Sequence, residues 1–375
     1  MKPKYLVTSG FLGSGKTTSM IAFGESVDRR GLGKAAILVD DLGAGNVVDY
    51  ETTNTSDVAC LSISGDCICY QHENLVDKLH QLMDGGANVL FSDIPGCGIG
   101  ALDNVYLQLE QREPGEFDLM PFLCIVDPER IRMIMPEMAA LNLPKEMTFL
   151  LDAQLLEADT IVLNKIDTIS LERKEEILAF LREKYPAADI FAISAITGEG
   201  VDEVVDHLLS HRSPAEHKEI GYGSAEFIQA ETLMSWYNRR IFMEQRDEKN
   251  LDFNEVITDL FEGIRKGLAD KGCNVPHLKM FAADSDTEMT DHFKASLVGI
   301  DYDIEYDSRL TRLYSALSLV INARATAPAE TMSEVVDDAI DAIGQKYDLK
   351  IKTFFLESFG MMDEGRGNLG KASKY

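Results

Sequence analysis

Long apolar runs are missing from this 375-residue chain, and positive charge is scarce. No stretch reaches the roughly 18 consecutive apolar residues that a membrane-spanning helix needs. Lysine and arginine number 36 against 63 aspartates and glutamates, which gives a formal charge of −27. Such a surface repels nucleic acid and anionic membranes, so neither is an expected partner. The same acidity suits a well-solvated protein. Six cysteines are too few and too scattered for a disulfide framework, and reduced thiols are the expectation. The apolar part of the N-terminal stretch, Tyr5 to Val7, is too short for a signal peptide. A cytoplasmic protein is expected.

What the chain does have is the stretch Gly10-Phe11-Leu12-Gly13-Ser14-Gly15-Lys16-Thr17-Thr18. It fits the phosphate-binding loop G-x-x-x-x-G-K-[ST], in which glycines let backbone N–H groups close around phosphates. Lys16 is placed to reach the terminal phosphates, and the Thr17 hydroxyl to ligate magnesium. Tyr5 to Val7 reads as the strand entering this loop, and Thr17 to Arg30 as the helix leaving it, stopped by Gly31 and Gly33. Phosphates would then lie on a helix N-terminus, where the dipole favours anions.

Ala35 to Val39 is a short continuous apolar run, the pattern of a strand buried on both faces, and it ends in Asp40-Asp41. A polar, glycine-containing loop carrying Asp49 and Glu51 follows, readable as a nucleotide-sensing switch or as an ordinary surface connection. Next come Cys67 and Cys69. In extended backbone, thiols two positions apart point the same way, so this pair could clasp a soft metal ion, with His72 a candidate third ligand. The other reading is that both are small buried hydrophobes. Asn88 to Ser92 is another buried strand and delivers Asp93, the Walker B arrangement for a magnesium-holding carboxylate. Gly96 suits a backbone N–H approaching the γ-phosphate. The residue after it is Cys97, so no glutamine stands there to orient water, and hydrolysis should be slow.

Thr160 to Leu163 leads into Asn164-Lys165-Ile166-Asp167, the N-K-x-D signature of guanine recognition. One carboxylate can accept from both the ring N–H and the exocyclic amine of guanine, which adenine cannot offer. Ser194-Ala195, after the strand Ile190 to Ile193, would back up that recognition. An ATP-dependent kinase or transferase is disfavoured by the N-K-x-D and by the lack of an acceptor-activating constellation. Strands and helices alternate about six times, which argues α/β: a doubly wound, mostly parallel sheet spanning residues 1–214. The polar, proline-containing run from Ser213 to Lys218 marks the boundary to a smaller α+β domain at 215–360, followed by a polar tail at 361–375 that should be loosely ordered. That second domain reads as an antiparallel sheet with helices on one face. It carries a helix at Phe253 to Ala269, strand-like runs at Val275 to Ala282, Lys294 to Ile300 and Leu317 to Asn322, and a helix at Met332 to Tyr347.

With these motifs in hand, the chain resembles the CobW-type metal-trafficking GTPases, relatives of the hydrogenase and urease nickel-insertion GTPases. The likeness covers most of the chain. It rests on the first loop, on Gln154 followed by Ala158-Asp159-Thr160 running into Asn164-Lys165, and on Pro276-His277-Leu278-Lys279 and Ile321-Asn322-Ala323-Arg324. The resemblance implies a GTPase domain joined to a smaller α+β domain, a slow GTP hydrolysis to GDP that needs Mg2+, and a nucleotide-dependent homodimer. It also implies delivery of a metal such as zinc or cobalt, or of a corrinoid-like cofactor, to a client metalloprotein or corrinoid protein. Two departures stand out. The family's C-x-C-C run has only its first two thiols here, Tyr70 replacing the third, and Asp40-Asp41 stands where an asparagine and a glutamate are typical, which leaves the carboxylate role to Asp41. The alternative is a GTP-gated protein-interaction switch without metal cargo.

Overall fold

The computed structural model describes residues 2–11, 13–41, 53, 56–64, 67–96, 98–136, 145–232, 234–247, 249–284 and 291–360. These fall into two compact units: apart from Thr53, which groups with the second, the described residues up to Ala230 form the first and those from Glu231 the second.

The first unit is a parallel sheet with helices between its strands. Its strands are β1 (Lys4–Ser9), β2 (Ala35–Asp41), β3 (Ala59–Ser64), β4 (Val89–Asp93), the short β5 (Asp118–Leu119), β6 (Leu123–Val126), β7 (Thr160–Leu163) and β8 (Asp189–Ala192). The helices are α1 (Lys16–Arg29), α2 (His72–Asp84), α3 (Leu107–Arg112), α4 (Pro128–Ile131), α5 (Lys145–Glu157), α6 (Leu171–Lys184), α7 (Val201–Ser210) and α8 (Ala225–Thr232). The order across the sheet is β3-β2-β4-β1-β6-β7-β8, with β5 also pairing β1. Residues of β1, β4, β6 and β7 are buried almost without exception, as continuous apolar strands between two helical layers must be. Register aligns the carboxyl ends of neighbouring strands: Thr8 pairs with Asp93, and Leu163 with Val126 and Ala192, while β6 begins at Leu123 opposite Thr8 and so runs a little further. Residues that follow these strands therefore share one edge of the sheet, where open α/β sheets bind their ligands.

The second unit is the expected antiparallel sheet, in the order β12-β11-β10-β13-β9-β14. Its strands are β9 (Ser235–Gln245), β10 (His277–Ala283), β11 (His292–Leu297), β12 (Glu305–Ser308), β13 (Ala316–Ala325) and β14 (Leu349–Gly360), and its helices α9 (Phe253–Asp270) and α10 (Ala329–Lys346). Period-two residues Leu317, Leu319, Ile321 and Ala323 of β13 meet the helical-period stripe Val256, Ile257, Leu260, Ile264 of α9 in one core.

Two expectations need correction. The segment 215–230, assigned by composition to the second domain, packs into the first unit: Ala215 lies in that unit's core, and the Tyr222 hydroxyl bonds that of Tyr70 at 2.6 Å. The polar run was not a linker because its polar groups find partners, with Ser213 Oγ donating to Asp159 Oδ2 and Lys218 Nζ to the carbonyls of Glu157 and Ala158. Second, β9, β12 and β14 had no sequence-based assignment. The loop carrying Asp49 and Glu51, residues Asp66 and Cys97, and the tail 361–375 lie outside the described residues. Among the described residues, no helix is long and apolar enough to cross a membrane.

Candidate nucleotide and metal site

Between β1 and α1 the backbone takes conformations that side chains oppose. Gly10 has φ +141°, and a Cβ there would lie 2.2 Å from the carbonyl oxygen of Ile125. Gly15 has φ +92°, with a Cβ 2.3 Å from Asn164 Nδ2, and Gly13 has φ +78°. These glycines let the loop turn back tightly over the ends of β6 and β7. Unlike α6, capped by Ser170, and α9, capped by Asp252, α1 starts with no side-chain cap and no acid in its first turn. The first N–H groups of a helix have no acceptor within it, so this end offers donors and positive dipole to an anion. Ser14 is fully buried, and its hydroxyl has no partner among the described residues. Lys16 Nζ folds back onto the Gly10 carbonyl at 2.9 Å, and Thr17 is buried while Thr18 is half-buried. An uncapped helix, a buried hydroxyl and a cation in one loop form a cradle that fits a polyphosphate.

Asp93 ends β4 beside this cradle, since Ile94 N–H bonds the Thr8 carbonyl at 3.1 Å. Its carboxylate is 5% exposed and accepts from the backbone N–H of Asp40 at 3.0 Å. Asp40 in turn accepts from the N–H of Ile68 at 3.1 Å. Two hydrogen bonds thus run from Asp93 to the residue between the two cysteines. The hard oxygen donors of Thr17 and Asp93 suit a magnesium ion. Asp41 closes β2, paired with Ser64, and its side chain lies outside the described residues.

The cysteines do not share one extended strand: Cys67 has φ −59° and ψ 144°, and Cys69 lies in a turn. Cys67 caps a 3-10 turn over Ile68–Tyr70, and its Sγ accepts from the N–H of Cys69 at 3.4 Å. Strand alternation therefore does not align the thiols; the turn brings Cys69 back over Cys67. Burial pushes the Cys67 thiol well up, with Cys69 and the Asp40 carboxylate adding to the rise. His72 stands apart from this pair, its Nε2 being 3.3 Å from Glu113 Oε1. Among the described residues no three His, Cys, Asp or Glu side chains converge on a metal-sized point. A full metal shell around the pair would need ligands from elsewhere.

At the other end, Asn164 joins two loops. Its Nδ2 donates to the Ser14 carbonyl at 3.0 Å, and its Oδ1 accepts from Ala195 N–H at 3.1 Å. The Ala195 N–H, expected to face the base, is engaged by Asn164 instead. Ser194 is buried, and its hydroxyl accepts from Thr197 N–H. Lys165 has φ +61°, and its Nζ is 3.5 Å from Asp127. Asp127 also caps α4 and bonds Arg130 at 2.7 Å, a buried pair. Asp167 has its side chain exposed.

Three participants escaped the sequence reading as site residues. Asp40 bridges Asp93 to Ile68. Gln154, fully buried on α5, donates to the carbonyls of Gly96 and Gly98. Glu157, one turn on, accepts from the N–H groups of Gly100 and Leu102. Burial pushes the Glu157 carboxyl up to about 7, although those two N–H groups pull it down.

Solved structures to which the chain is similar include HypB from Helicobacter pylori in complex with nickel, at 18% identity over 58% of this chain and 92% of that one, TM-score 0.39. The Zn(II)-bound YjiA GTPase from E. coli is 15% identical over 92% of this chain and 99% of that one, TM-score 0.35. The hydrogenase maturation factor HypB from Archaeoglobus fulgidus is 19% identical over 55% and 89%, TM-score 0.37. The family described as CobW/HypB/UreG, nucleotide-binding domain, matches residues 4–192. This match spans half of the chain and contains the glycine loop, Asp93 and the Asn164 motif, and the protein belongs to the CobW/HypB/UreG family of P-loop GTPases.

Proposed function

We propose that the protein binds GTP, hydrolyses it slowly to GDP, and uses the nucleotide state to govern delivery of a metal or a metal-containing, corrinoid-like cofactor to a client protein. Lys16 and the α1 amides neutralise the phosphates, Asn164 holds the loops in register, and Asp167 selects guanine. Thr17 and Asp93 would hold magnesium, which supplies neutralisation of charge on the β- and γ-phosphate oxygens. The observation that carries the coupling is the pair of hydrogen bonds from Asp93 through Asp40 to Ile68. A change at the magnesium carboxylate reaches the backbone between Cys67 and Cys69 in two steps. Asp41 sits next to that relay and is the further candidate to sense metal or water. Two thiolates do not complete a tetrahedral shell, so a second subunit of a nucleotide-dependent homodimer, water or an acidic side chain supplies the rest.

Cobalt(II) titration tests this reading. Thiolate-to-metal charge-transfer absorption should appear with Mg-GTP, be weaker with GDP, and vanish in the Cys67→Ser, Cys69→Ser double variant. Absence of the band with both nucleotides removes the metal cargo. One observation favours the second reading, a GTP-gated interaction switch: Cys67 is buried and already serves as a cap, a structural role that needs no metal.

A further inference from the structure

Gly96 and residues 98–102 follow closely on the magnesium-side Asp93, with only Ile94 and Pro95 before Gly96, so where they lie determines what the γ-phosphate would meet. Ile94 is tied to β1, which leaves little slack. Every second residue of this segment is held by α5. Gln154 Nε2 donates to Gly96 O at 3.1 Å and to Gly98 O at 3.0 Å, and the Glu157 carboxylate accepts from Gly100 N–H at 2.9 Å and Leu102 N–H at 2.8 Å. The two side chains are three residues apart and so lie on one face of the helix. One supplies a donor matched to two carbonyls, the other an acceptor matched to two N–H groups. A Cβ on Gly100, at φ +87°, would lie 2.7 Å from the Tyr222 ring, so this position needs a glycine. Beyond Glu157 the chain passes into β7 and then to Asn164, which grips the phosphate loop at Ser14. Asn164, which joins the phosphate loop and the base side, is therefore only seven positions beyond Glu157 and ten beyond Gln154.

We propose that Gln154 and Glu157 are positioning residues for the GTP reaction: together they hold Gly96, Gly98, Gly100 and Leu102 in the arrangement that distinguishes a triphosphate from a diphosphate. This rests on the GTPase reading above. Neither side chain touches the reacting atoms; both act through the backbone groups of Gly96, Gly98, Gly100 and Leu102.

The test measures, on the full chain with Mg2+, the affinity for GDP and for a non-hydrolysable β,γ-imido GTP analogue, together with kcat and KM for GTP. Gln154→Ala should weaken the analogue about tenfold and lower kcat by a similar factor, two hydrogen bonds being lost, while GDP affinity stays within about twofold. Glu157→Gln, which keeps an acceptor for one of its two N–H partners, should give a smaller loss of the same kind, about threefold. Retained GDP binding separates positioning from unfolding. Equal losses for GDP and analogue, or no loss for either, overturn the inference while the GTPase reading stands. A wild type that binds no guanine nucleotide overturns the GTPase reading, and the inference falls with it.

Discussion

The two ends of the nucleotide site are built on opposite plans. At the phosphate end donors are left open: α1 has no cap, the Ser14 hydroxyl is buried without a partner among the described residues, and Lys16 leans on its own loop. At the base end the polar groups are already satisfied, with Asn164 bonded on both sides and Asp127 capping α4, bonded to Arg130 and near Lys165. The difference teaches where binding energy is held. An open cradle gains its hydrogen bonds only when an anion arrives, whereas a prewired end supplies shape and selects among bases without rearranging. Substitutions at the phosphate end should therefore cost affinity for every nucleotide, and those at the base end should change preference.

The largest effect is expected from Lys16→Ala. It removes the fixed cation facing the β and γ oxygens, two charge-assisted contacts of about 2 kcal/mol each, so triphosphate affinity should fall by roughly three orders of magnitude. Calorimetric titration with GTP checks this, and unchanged affinity would remove the loop from the site.

Next comes a contrast in what holds each end. Asn164 does not titrate, but Glu157, which grips the segment beside the γ-phosphate, does so near neutrality. Burial raises its carboxyl from the ordinary 4.5 to about 7, helped by Asp103 and opposed by Lys218 and the two N–H groups. The folded chain therefore binds this proton more tightly than the unfolded one. The stabilisation is full below about pH 4.5 and is lost as pH rises toward 7, about 3 kcal/mol across that window. Glu157→Gln cannot ionise, so wild type should lose stability relative to this variant between pH 5 and pH 8. Urea unfolding of both proteins at the two pH values reads the difference; a wild type that gains on the variant as pH rises contradicts the assignment.

How legible each part was follows from how far its partners lie along the chain. Gly10, Lys16, Thr17, Asn164 and Asp167 were readable because their spacing is set by local backbone geometry. Gln154 and Glu157 were not readable as site residues: their partners lie more than fifty residues upstream and are backbone groups that carry no side-chain signature. The cysteine pair was placed on a strand because β3 runs just before it, and the 3-10 turn capped by Cys67 was invisible to a period-two reading. In the second unit β9 went unassigned because Asn238, Arg239 and Arg240 interrupt its apolar pattern. Its register with β13 shows Tyr237, Ile241 and Met243 on the core side and Trp236 and Asn238 on the other face, where Asn322 Nδ2 bonds Asn238 Oδ1. The doubly wound, mostly parallel class of the first unit was legible because its central strands carry short continuous apolar runs.

The most specific effect on binding is expected at Asp167. Its side chain is exposed while its backbone sits in a turn fixed by Ile166 N–H on Ile193 O and Thr168 Oγ1 on Lys165 O. Substitution there should leave the fold alone. Asp167→Asn turns an acceptor-only group into one that presents a donor, which opposes guanine's exocyclic amine and suits the oxygen that xanthine carries at that position. A mispaired polar group costs about 1–3 kcal/mol, so GTP should bind roughly tenfold more weakly or worse, with xanthosine triphosphate gaining in proportion. Competition between the two nucleotides for the same variant reads the preference directly. GDP should weaken alongside GTP, because the base end sees both alike, whereas Gln154→Ala should separate them. If the Asn variant still prefers GTP, base selection does not lie with Asp167, and the contrast between an open phosphate end and a selecting base end is lost.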